Sequence, residues 1–124
     1  MLAKLSKHFV DTTSFKINSI NLWSDSKVAL TWINSHPSKW KDFVKNRVFS
    51  IQEMSPSAIW RHVPGKDNPA DSASRGLFTT QLIQDKLWWH GPSWLLKSED
   101  SWPAQGESLD VTSLPEQRKH VTLK

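Results

Sequence analysis

Apolar residues at Leu2, Leu5 and Phe9 recur at i, i+3 and i+7, which predicts one stripe of an amphipathic helix stopped by Asp11-Thr12-Thr13-Ser14. The period then drops to two. Ile20, Leu22 and Ser24 alternate with Asn21, Trp23 and Asp25, predicting a strand of about five residues that ends at Asp25. Helical spacing returns at Val28, Ala29, Trp32 and Ile33 and is closed by His36-Pro37, since a proline bars the residue before it from helical geometry. A third helix is predicted over 39–54, with Trp40, Phe43, Val44, Arg47, Val48 and Ile51 on one face and Ser55-Pro56-Ser57 as its stop. Over 58–63 the period is two again, Ile59 and Val63 opposing Trp60 and His62, and Pro64-Gly65 turns the chain toward Asp71.

A strand, two helices and a second strand make a crossover, which predicts an α/β class with two parallel neighbouring strands. Both strands then finish at the same carboxyl edge, where open α/β sheets place their sites. Each strand delivers one aspartate, Asp25 or Asp71, to the start of a helix. Short helices are expected over 70–76 and 79–86. The block Leu87-Trp88-Trp89-His90-Gly91-Pro92-Ser93-Trp94-Leu95-Leu96 is too aromatic for a free linker and too broken by Gly-Pro for a helix, so it reads as an ordered strap. Beyond Lys97 apolar periodicity is lost. The expected organisation is a folded unit over 1–78, a helix and Trp-rich strap over 79–103, and a polar, disordered tail over 104–124.

Eight tryptophans and 37% apolar residues supply enough buried area for a core. The absence of cysteine excludes disulfides, thiolate zinc sites and a cysteine nucleophile. No apolar run is long enough for a signal peptide or a membrane span, so the expectation is an intracellular chain with no membrane partner. A net charge of +4 and a pI near 9.5 favour a polyanionic partner. Lys39, Lys41, Lys45 and Arg47 form a local basic cluster that could touch nucleic-acid phosphate or simply solvate a helix flank. Lys66, in the turn before Asp71, could meet a phosphate as a point charge or be an ordinary loop lysine.

Asp25 and Asp71 are the candidate metal ligands, because magnesium takes oxygen donors and few protein carboxylates, leaving waters and substrate phosphate to complete its octahedron. A two-metal phosphodiester hydrolase needs more carboxylates than these two. The competing reading makes each aspartate a helix cap. The five histidines match no zinc spacing, and no Gly-x-Ser-x-Gly elbow accompanies Ser24, Ser26, Ser72 or Ser74.

Three blocks, Leu22-Trp23-Ser24-Asp25-Ser26-Lys27-Val28-Ala29-Leu30-Thr31-Trp32-Ile33, Trp40-Lys41-Asp42-Phe43-Val44-Lys45-Asn46-Arg47-Val48 and Trp60-Arg61-His62-Val63-Pro64-Gly65-Lys66-Asp67-Asn68-Pro69-Ala70-Asp71-Ser72-Ala73-Ser74-Arg75-Gly76, resemble the ribonuclease H region of BEL/Pao-type retrotransposon polyproteins. The Leu87–Leu95 block is similar to the strap that leads toward integrase in the same family. The resemblance implies a partial ribonuclease H-like fold whose amino-terminal antiparallel strands are missing. It also implies a parent activity of metal-dependent hydrolysis of RNA in RNA–DNA hybrids, with Mg2+ or Mn2+ as cofactor. Such domains use four carboxylates for two metals. Asp25 matches the third and Asp71 the fourth; the helix over 1–12 resembles only the later part of the family's first helix, so its glutamate and the preceding strand aspartate have no counterpart. Pro64-Gly65-Lys66 occupies the loop where cellular relatives carry a proton-shuttling histidine, and that role is not carried onto His62. Asn68, Ala73 and Arg75 match the motif as loop and helix packing. The expectation is a catalytically inactive fragment that binds metal weakly or not at all, partnered by nucleic acid and by the amino-terminal part of its own polyprotein. The alternative is a non-catalytic nucleic-acid- or protein-binding remnant in which Lys39, Lys41, Lys45, Arg47 and Lys66 touch backbone phosphate and the aspartates are mere caps.

Overall fold

Two five-residue strands, β1 (Ile20–Ser24) and β2 (Ala58–His62), pair in parallel in the computed structural model, which describes residues 1–106 and 109–118. Helix α1 (Leu2–Thr12) precedes them, and α2 (Lys27–Asn34) and α3 (Asp42–Met54) cross from one to the other. Three short helices follow: α4 (Pro69–Arg75), α5 (Thr79–Gln84) and α6 (Lys86–His90). The chain is thus a mixed α/β structure around a parallel strand pair, as the change of period anticipates.

The register sets Leu22 beside Trp60 and Trp23 beside Arg61. Paired residues in a parallel ladder point to the same face, so the two sets lie on opposite faces. Helix α2 covers the Leu22–Trp60 face, with Leu22 and Leu30 both buried. On the other face, Trp23, Trp94 and Trp102 meet edge-on or tilted, with ring centroids 4.9 to 6.5 Å apart. Arg61 completes that cluster, its guanidinium 5.2 Å from the Trp102 ring centre and 6.0 Å from that of Trp23. The strap therefore acts as the second cover of the sheet.

The predicted helix over 39–54 divides in two. Pro37–Lys39 makes a 3-10 turn, Trp40 is extended, and α3 begins only at Asp42. The extended stretch buries Trp40 completely against Val44 and Val48, with Trp32 and Leu114 packed around them. The Trp40 indole N–H donates to the Trp32 carbonyl at 3.2 Å. The strap also differs from expectation, since its first residues form α6: Asp85 caps it by accepting from the Trp88 amide (3.3 Å), and Gly91, at φ +70°, ends it.

The largest departure is in the tail expected to be disordered. Residues 114–118 pack on the core, where Trp40 and Gln117 form an antiparallel bridge and the Trp32 indole N–H donates to the Pro115 carbonyl (3.3 Å). Leu114 from this stretch packs against the cluster of Trp40, Val44 and Val48. Farther back, the Gln105 side chain spans the outer edge of β2, accepting from the His62 amide (2.6 Å) and donating to its carbonyl (3.4 Å). Residues 107, 108 and 119–124 of that tail lie outside the described residues.

Trp40→Ala is expected to remove about 3–5 kcal/mol, the cost of emptying a fully packed aromatic site. Denaturant unfolding followed by the fluorescence of the remaining tryptophans measures it.

Candidate functional site

At the carboxyl end of β1 the chain turns directly into α2, and the cap of α2 is Ser26, whose Oγ accepts from the Ala29 amide at 3.2 Å. Asp25 is therefore exposed and has no capping bond to make. At the end of β2, Pro64 leads into a 3-10 turn, Gly65–Asp67, and then to Asn68, which caps α4 by accepting from the Ala70 amide (3.1 Å). Asp71 falls in the first turn of α4, not at its cap. Both expected caps are thus taken by other residues, because serine and asparagine present a short oxygen acceptor at the right distance from the helix amides.

The two aspartates sit at the same edge of the strand pair and are joined through Asn68. Its Nδ2 donates to Asp25 Oδ2 at 3.1 Å, while its backbone carbonyl accepts the Asp71 amide at 3.1 Å. Asp71 is mostly covered, with 28% of its side chain exposed, and Arg75 Nε lies 3.2 Å from its Oδ2. Two further contacts hold the frame. Trp94 donates its indole N–H to Asp67 Oδ2 (3.4 Å), and Ser72 donates to Asp85 Oδ2 (2.8 Å), tying α4 to the cap of α6.

The donor set at this edge is two carboxylates, Asp25 and Asp71, one of them paired with Arg75. Two carboxylates at one edge can serve a single octahedral ion completed by waters and phosphate. A second ion demands further carboxylates, and no group of three or more His, Asp or Glu side chains converges among the described residues. Arg75, paired with Asp71, would have to yield a carboxylate oxygen to an incoming cation.

The basic residues separate into two places. Lys66 is exposed on the turn just before Asn68, in the connection that leads to Asp71. Lys39 and Lys41 flank the Trp40 bridge, where the Lys41 amide donates to the Glu116 carbonyl (2.7 Å) and the Arg118 amide to the Lys39 carbonyl (2.8 Å). Arg118 thereby joins them, although its guanidinium pairs with Asp42 at 2.7 Å. Lys45 follows one turn into α3 and is half-buried.

No family model, curated protein or solved structure matches the chain. No helix among the described residues is long and apolar enough to cross a membrane. Geometry alone identifies Asn68 as more than loop packing, and the order Asn-Pro before a short helix was its available signal, since asparagine leads at the cap and proline at the first helical position. Arg118 had no such signal, because nothing local marks a bridge to Lys39.

Asp25→Asn and Asp71→Asn should each weaken Mn2+ binding by about 10-fold or more, because loss of even an outer-shell partner costs that much. Neither should lower the melting midpoint noticeably, as neither residue caps a helix. Water-proton relaxation titrations alongside thermal melts test both statements.

Proposed function

We propose that this chain is the carboxyl-terminal part of a ribonuclease H-like unit of a BEL/Pao-type retroelement polyprotein, contributing two metal ligands to the hydrolysis of RNA in RNA–DNA hybrids. The observation that carries the reading is that Asp25, just past β1, and Asp71, in the first turn of α4 beyond β2, both meet Asn68 while neither caps a helix. An exposed Asp25 carboxylate that caps no helix and accepts from Asn68 suits cation binding better than packing.

In this reading Asp25 and Asp71 hold and orient the ion, and Lys66 meets a backbone phosphate as a compact charge. A bound magnesium would supply water activation and stabilisation of the leaving oxygen. The residues at the edge cannot neutralise a second ion, so the chain by itself holds half a site and turns over no hybrid. Its natural partner is the amino-terminal part of the same unit. Room for that partner exists beside β1, whose second edge carries no strand among the described residues. Next to that edge, Leu2, Leu5, Phe9, Val10, Ile17 and Ile20 line a groove of about 470 Å3. Open apolar edges of this kind promote self-association, which makes poor solubility of the isolated chain an expected consequence.

A second reading, a non-catalytic nucleic-acid-binding remnant, draws support from the bridge that gathers Lys39, Lys41 and Arg118 on one corner. Salt and metal distinguish the two.

In a hybrid-cleavage assay with Mg2+, the isolated chain should show no turnover. Cleavage that disappears in Asp25→Asn would overturn the half-site. Hybrid binding that falls steeply with salt yet ignores Mg2+ would favour the remnant.

A further inference from the structure

We infer that the cleft between α2 and β2 binds one nucleoside 5′-monophosphate unit, with the base against Trp60 and the phosphate at Lys27. The inference is independent of the two aspartates, since neither Asp25 nor Asp71 lines this cleft.

One stripe of α2, made of Lys27, Leu30, Thr31 and Asn34, faces Trp60 and His62 of β2 across a volume of about 330 Å3. That is the small end of the range of about 300–1,000 Å3 in which proteins hold a single small ligand. The walls are held by contacts of their own. Gln105 bridges the amide and carbonyl of His62, and the Gln52 side chain donates to the Ile33 and Ser35 carbonyls (2.8 and 3.1 Å), pinning the end of α2. The Thr31 hydroxyl donates to the Lys27 carbonyl at 2.8 Å.

The chemistry changes along the length of the cleft. Ser24 pairs with His62, and α2 starts three residues after Ser24, so Lys27 and His62 share one end. The crossover carries α2 back beside the strands, which leaves Asn34 and Ser35 at the other end, about 10 Å away at the helical rise per residue. Between them lie buried Leu30 and half-buried Trp60, a flat apolar floor. The Lys27 ammonium, the His62 ring and the Asn34 amide have no hydrogen bond or ion pair among the described residues, and no Asp or Glu among those residues lines the cleft. An unpaired cation at one end selects an anion, an indole face in the middle accepts a planar ring, and an amide at the far end offers both donor and acceptor to a base edge. One nucleotide presents these three groups in that order over that length.

Adenosine 5′-monophosphate is the probe, added to the full chain and followed by tryptophan fluorescence and backbone amide resonances. It should bind and shift the amides of Leu30, Thr31 and Asn34. Lys27→Ala is expected to weaken it about 10-fold while leaving adenosine affinity and the melting midpoint unchanged, because Lys27 is exposed and meets only the phosphate. Trp60→Leu should weaken nucleotide and nucleoside alike by about 10-fold, and Trp60→Phe, which keeps a ring to stack on, should retain most of the affinity. Glu107 follows the rim residue Gly106 in sequence, and Glu107→Gln should leave binding unchanged or tighter. A 5′-phosphorylated tetraribonucleotide separates the sources of the ligand: stronger competition than the mononucleotide assigns the cleft to a strand end, weaker competition to the free nucleotide. No binding at millimolar nucleotide, equal affinity in Lys27→Ala, or resonance shifts at Lys39 and Lys41 in place of α2 overturns the site.

Discussion

Parallel pairing of two short strands is the constraint on which the rest of this molecule depends. Ten residues of parallel sheet have no independent stability, and a parallel pair survives only when both faces are covered. One cover is the crossover itself, with α2 pressed on the Leu22 and Trp60 side. The other comes from much farther along the chain, as Trp94 and Trp102 close over Trp23. The same pairing that demands these covers also brings the two strand ends together, and with them Asp25 and Asp71.

The second cover shows how a charge can sit inside an aromatic cluster. Arg61 is only 16% exposed, yet its Nε donates to Asn21 Oδ1 at 2.8 Å and its terminal nitrogen pairs with Glu99, while its guanidinium carbon lies 5.2 Å from the Trp102 ring centre. The guanidinium tolerates this because it is weakly hydrated and spreads its donors in a fork. The fit is not complete: the Trp102 indole N–H is buried with no acceptor among the described residues, an omission worth about 1–3 kcal/mol. Aromatic area must offset that cost for the strap to stay closed.

Division of labour among polar residues explains the character of the edge. Ser26 and Asn68 satisfy the orphan amides at the starts of α2 and α4, each worth about 1 kcal/mol. Their presence leaves the adjacent carboxylates without a structural debt, so evolution or decay can alter the aspartates without unfolding the helices. Asn68 does both tasks at once, and through Trp94 and Asp67 the strap reaches the same loop. Sheet cover and site frame are therefore one connected structure.

Local pattern alone determined the elements and their order. The switch from period 3.6 to period 2 at Ile20 and again at Ala58 marks the strands, and the intervening helices force the parallel crossover, because these signals depend only on which face each residue must bury. What tertiary structure decided was every relation between distant segments. Trp40 leaves the helical register to reach a core completed by Leu114, some seventy positions away, and Gln105 closes the edge of β2 at His62. Likewise, whether Asp25 capped a helix or stood free turned on Ser26 taking the cap and on Asn68 arriving from across the strand pair. Such contacts carry no periodicity and no spacing rule, since their partners are chosen by proximity after folding and not by neighbours in the chain.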